Sequence, residues 1–73
     1  GLDVGAIDFV HREIFNLKDH NGAVLLISLD LDELIKLSSR IVVLYRGSIV
    51  AMFNRKEFDK TQIGMYMVSG QPN

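Results

Sequence analysis

Apolar residues recur at helical spacing at the start of the chain. Ile7, Val10, Ile14 and Leu17 follow steps of three, four and three, which puts them on one face of a helix over Val4 to Asp19. Asp3 can cap this helix, and Asn21-Gly22 supplies residues that tolerate the positive φ of a helix end. Phe9 and Phe15 stand off the stripe, as a second buried face or as a surface for a partner. The pattern then changes. Ala23 to Ser28 (AVLLIS) is apolar without alternation, which predicts a strand covered on both faces, as in a parallel sheet. A short helix follows over Leu31 to Leu37, with Leu31, Leu34 and Ile35 on its apolar side. Asp30 is its expected cap, and Glu33 stands where a capping-box-like pattern needs it. IVVLY (Ile41 to Tyr45) and IVAMF (Ile49 to Phe53) are rich in β-branched residues and flank a tight turn at Arg46-Gly47, which predicts an antiparallel hairpin. A last helix is expected from about Thr61 to Val68, capped by Asp59 or Thr61 and ended by Gly70, with Ile63, Tyr66 and Met67 inward. Residues 71–73 read as a frayed polar tail. The order helix-strand-helix-strand-strand-helix is α/β, in a single domain without repeat or linker.

This pattern asks for more burial than the chain supplies comfortably. A domain near 73 residues buries only about 60% of the surface its unfolded chain exposes, yet 48% of these residues are apolar. There is no cysteine to form a disulfide, and no cysteine–histidine spacing for structural zinc. Self-association or attachment to a larger parent remains. The formal net charge is -1, with 8 Lys+Arg against 9 Asp+Glu and no basic block, which argues against nucleic acid as a partner. The apolar runs are too short to span a bilayer, and no basic start precedes a long apolar core as in a signal peptide. A cytoplasmic origin is the default. The chain opens on Gly1, not Met, as a truncated chain or one carrying a tag remnant does.

No catalytic set assembles from these residues. His11 lies beside the apolar stripe of the first helix and His20 in its last turn, and both read as surface residues. Asp30, Asp32 and Glu33 cluster at a helix start. Carboxylates there cap the helix and complement its dipole, which outweighs a metal or acid–base role. A P-loop needs G-x-x-x-x-G-K-[ST] so that backbone N–H groups and a lysine surround phosphates, and none of the six glycines begins one. Met52, Met65 and Met67 read as packing of the last helix on the hairpin. The first helix carries both charges on its polar side (Asp8, Arg12, Glu13, Lys18, Asp19), which argues against a membrane surface.

The linear order of four pieces is more informative. Gly1-Leu2-Asp3-Val4-Gly5-Ala6 opens a helix, AVLLIS follows, then Leu31-Asp32-Glu33-Leu34, then Ser39 to Val50 (SRIVVLYRGSIV). In this order and spacing they resemble an ABC transporter ATPase domain from its D-loop to its end, over essentially the whole chain. GLDVGAIDFVHREI and LLISLDLDEL most resemble the second ATPase cassette of bacterial importers for simple sugars or nucleosides. The resemblance implies a partial P-loop NTPase core, with residues 1–73 as its C-terminal fragment. Leu2 and Asp3 would end the D-loop, which in the family crosses the interface between two ATPase domains. The family's switch histidine follows the strand, where this chain has Leu29. A histidine there can reach the ATP γ-phosphate and position water, whereas leucine offers no donor or acceptor. The resemblance thus implies a degenerate site and no catalytic residue in this stretch. Walker A, Walker B, the Q-loop and the signature are absent, so no nucleotide- or metal-binding residue is expected here. ATP and magnesium would belong to the intact parent, as would a second cassette and membrane permease subunits as partners. The parent would sit in the cytoplasm, peripheral at the inner face of the cell membrane through the permease. The Walker A strand would lie between the strands near Ala23–Ser28 and Ile41–Tyr45, so the fragment should show an exposed sheet edge or a gap, and self-association could close it.

Two other readings stand beside this one. The chain could be a free-standing α/β interaction module acting through Phe9 and Phe15. It could be a small metal- or acid-dependent enzyme using Asp30, Asp32 and Glu33, although no pocket or supporting shell can be inferred for it.

Overall fold

The computed structural model describes residues 4–72 and, from Gly5 on, their side chains. The elements are α1 (Val4–Asp19), α2 (Leu31–Leu37), β1 (Arg40–Tyr45), β2 (Ser48–Asn54), a 3-10 turn at Arg55–Glu57 and α3 (Lys60–Ser69). The expected cap Asp3 lies outside the described residues.

Helix α1 ends as its sequence directs. Asn21 takes the left-handed conformation (φ 62), Gly22 N–H donates to Leu17 O at 2.7 Å, and Asn21 N–H donates to Lys18 O at 3.2 Å. This is the Schellman pairing. Gly22 is needed for a different reason: a Cβ there would come within 2.6 Å of Leu17 O. The hairpin turns through Arg46 (φ 50) and Gly47 (φ 81), two consecutive positive φ values that match the right-handed twist of the strands. β1 and β2 pair antiparallel from Arg40↔Asn54 to Tyr45↔Ser48, with a register shift between Val43 and Leu44 that leaves Val50 as the extra residue.

One face of the hairpin carries the core. Ile41, Val43 and Phe53 are buried there against Ile63 of α3, which is 0% exposed. Leu31, Leu34 and Ile35 of α2 complete the packing, and the Phe53 and Tyr66 rings meet edge to face at 5.8 Å. Each helix end around this core is satisfied. Asp30 Oδ1 accepts from Glu33 N–H at 3.2 Å, and Asp59 Oδ1 accepts from Gln62 N–H at 3.0 Å. The last carbonyls of α2 take two cations: Lys18 Nζ donates to Leu37 O at 2.7 Å, and Arg55 Nη1 donates to Ile35 O and Ser38 O. α3 stops at Gly70 (φ 74), whose N–H donates to Tyr66 O at 2.8 Å.

The expected strand over Ala23 to Ser28 does not form. Residues 23–29 join no strand pair among the described residues, and β1 and β2 make a two-stranded sheet. The order is therefore helix, extended segment, helix, strand, strand, helix. A strand needs a neighbour to take its N–H and C=O groups, and this one has none within reach. Leu25 and Ile27 are each 89% exposed, and Leu29 is 93% exposed. Between this segment and β1 runs an open groove of about 1010 Å³, lined by Val24, Leu26, Val42, Leu44 and Ile49 among others. The chain exposes 5713 Å², where a monomer of 8.2 kDa is expected to expose roughly 4500 Å². The predicted stripe of α1 is also only partly covered: Ile7 and Ile14 are half-buried, while Val10 and Leu17 are exposed. None of the buried core residues belongs to α1.

Candidate functional site

Leu29, Asp30, Asp32 and Glu33, singled out by sequence, lie at the start of α2. The segment leaving the groove turns through Ser28, Leu29 and Asp30. Asp30 N–H donates to Ser28 Oγ at 3.0 Å, and the Asp30 carboxylate then caps α2. This short-range turn fixes where Leu29 points, and it points into solvent. Leu29 offers neither donor nor acceptor there. Leu2 and Asp3 lie outside the described residues.

The three carboxylates do not converge. Asp30 is the cap, Asp32 pairs with Lys60 at 2.7 Å, and Glu33 turns the other way to His11. The Asp32 carboxylate, by hydrogen bond and charge, holds the exposed Lys60 ammonium above its usual range. Among the described residues no group of three His, Cys, Asp or Glu could hold a metal ion. The capping box is therefore half made. Asp30 plays its part, but the Glu33 side chain is drawn away from the cap backbone.

His11 is the residue sequence reasoning missed. Its Nε2–H donates to Glu33 Oε2 at 2.8 Å, its side chain is only 12% exposed, and its Nδ1 is buried with no partner among the described residues. This corrects the expectation of a surface residue. The hydrogen bond from His11, with a second from Ser28, holds the Glu33 carboxyl below its usual range; desolvation opposes this weakly. No sequence signal joins residues 22 positions apart. His20, by contrast, stays local, its Nδ1 bonding Asn16 O at 2.8 Å. Of the methionines, Met67 packs on the core, while Met52 and Met65 are exposed. Phe9 and Phe15 are exposed too, with Lys18 Nζ 5.9 Å from the Phe15 ring.

The geometry thus shows an apolar extended segment ending in a polar turn, with one side open. The chain is 45% identical over 67 residues to the guanosine import ATP-binding protein NupO of Bacillus subtilis, covering 92% of this chain and 13% of that protein. It is 40% identical over 73 residues to the nucleoside import ATP-binding protein NupA of Lactococcus lactis, covering 100% of this chain and 14% of that one. The arabinose import ATP-binding protein AraG of Vibrio parahaemolyticus is 35% identical over 69 residues, or 93% of this chain and 14% of its own length. The chain is homologous to ABC import ATPases. It spans about one-seventh of the length of these relatives. No family model matches the chain, and no solved structure matches it. No helix among the described residues is long and apolar enough to cross a membrane.

Proposed function

We propose that the chain is the C-terminal part of the ATP-binding subunit of an ABC importer for a simple sugar or nucleoside. ATP binding and hydrolysis by the whole subunit energise uptake through a membrane permease, and this segment alone is inactive. The observation that carries the reading is the match, across nearly the whole chain, to ATP-binding proteins named for guanosine, nucleoside and arabinose import. The same matches favour it over a free-standing interaction module. Leu2 and Asp3 end the D-loop at the interface with a second cassette. Leu29 occupies the switch-histidine position, and its side chain can neither contact a γ-phosphate nor orient water. The site shaped by this cassette binds Mg-ATP and hydrolyses it slowly, and the partner cassette turns over most of it. The subunit works at the cytoplasmic face, held by the permease. The groove beside β1 is filled by another strand of the same ATPase domain; in the isolated segment, self-association covers it instead.

The test is the coding sequence upstream of Gly1. The expected frame carries G-x-x-x-x-G-K-[ST], a signature glycine pair and an apolar strand ending in Asp-Glu. A start codon directly before Gly1 would overturn the reading. In the longer product, Leu29→His is expected to raise ATP turnover, and unchanged turnover would rule out a degenerate site.

A further inference from the structure

Helix α1 is attached to the rest of the fold through few contacts, and the polar ones are specific. It contributes nothing to the buried core. Its polar ties run to α2: His11 to Glu33 at 2.8 Å and Lys18 to Leu37 O at 2.7 Å. Glu33 is the convergence point. Its side chain takes a hydrogen bond from His11 of α1, and its backbone N–H is held by Asp30, whose own N–H is held by Ser28 Oγ. One residue therefore gathers three chain segments: α1, the Ser28-Leu29-Asp30 turn and α2. The lysine tie is of a different kind, because it ends on a helix carbonyl and fixes only the far end of α2.

We propose that His11 and Glu33 are positioning residues that hold α1 in one setting against the Ser28-Leu29-Asp30 turn. The functional meaning of this joint rests on the importer reading, in which that turn belongs to a nucleotide site; the joint itself does not. Its groups are few. Beside His11 on α1 stand Asp8 and Arg12, and Lys36 of α2 faces the same opening. Asp30 and Asp32 lie on the α2 side, with Asp32 engaged by Lys60. Among the described residues, Glu33 is the acid that takes the His11 Nε2–H. The pH dependence follows from Glu33. Its folded carboxyl titrates below the unfolded one, so the tie contributes fully above the unfolded value and is lost as pH falls through the folded value.

The experiment is amide hydrogen exchange on the full 73-residue chain, read as α1 opening relative to α3. His11→Ala should speed α1 exchange roughly fivefold to tenfold, the size of a charge-assisted hydrogen bond discounted for partial exposure. Amides of α3 should be unaffected. His11→Gln keeps an N–H near the Nε2 position and should restore α1 protection to within about twofold of the parent chain. Lowering pH through the Glu33 titration should open α1 in the parent chain and leave Glu33→Gln unresponsive. Unchanged α1 exchange in His11→Ala overturns the proposal. So does a His11→Gln variant as open as His11→Ala, because the side chain would then act by volume. Equal loss in α1 and α3 also overturns it, since the pair would merely support global stability. These outcomes are the same whatever the upstream coding sequence proves to be, so the two failures are distinguishable.

Discussion

Replacing Ile63 by alanine should strip this chain of roughly a quarter or more of its stability, while replacing Leu25 should barely register. Ile63 is 0% exposed and touches the buried cluster of Ile41, Val43 and Phe53. Truncating a fully buried isoleucine costs about 3 to 4 kcal/mol, the sum of lost transfer energy and the cavity left behind. A chain of 73 residues has a total stability of roughly 4 to 11 kcal/mol. A single side chain thus accounts for roughly a quarter or more of it. Leu25 is just as apolar but already faces water, so Leu25→Ala should stay within about 0.5 kcal/mol. Urea unfolding followed by far-ultraviolet circular dichroism reads both. With a slope near 1 kcal/mol per molar urea, Ile63→Ala should move the midpoint down by roughly 3 M. A loss below about 1 kcal/mol for Ile63→Ala would mean that the hairpin–α3 core is not the seat of stability. A Leu25→Ala loss matching that of Ile63→Ala would mean that residues 23–29 are buried and the groove closed.

Other changes probe single features. Gly70→Ala must adopt a φ of 74 and bring a Cβ within 2.5 Å of Tyr45 Cδ1, so a thermal melt should show a loss of about 2 kcal/mol. Asp59→Ala removes the acceptor for Gln62 N–H and should cost about 1 kcal/mol, whereas Asp59→Asn should restore most of it. Ile27→Lys places a charge on an exposed apolar edge. It should raise the concentration at which the chain stays soluble and leave the melting temperature in place; a clear drop would show that the segment packs against something.

The helices and the hairpin were legible because their signals are local. The bounds of α1 and α2 follow from 3.6-residue periodicity between Asn21-Gly22 and Asp30, and the hairpin from β-branched runs around Arg46-Gly47. The strand expected over Ala23–Ser28 does not form among the described residues. An unbroken apolar run suits a strand covered on both faces, but a backbone ladder requires partners that the described residues do not supply. The same holds for Val10 and Leu17, whose spacing marks a face that stays open here. Glu33 was legible as a helix-start acid, but its diversion to His11 was not. That contact depends on how two helices cross, which no pattern within either helix encodes. Leu29 is legible as a leucine in the sequence alone, and the structure adds that it stands 93% exposed.

The core of Ile41, Val43, Phe53 and Ile63 is confined to a short stretch of chain. Its defining contacts close loops of about 20 residues or fewer, which costs little chain entropy and permits rapid assembly. The hairpin and α3 can therefore collapse as one kinetic nucleus, with α2 condensing onto it. The apolar segment 23–29 stands outside that nucleus and gains nothing from its formation. A strand that paired with the segment would meet a scaffold already formed, so its attachment would be a docking step whose rate follows the partner's local concentration. Until then, the time this edge remains bare sets the window in which chains can associate wrongly.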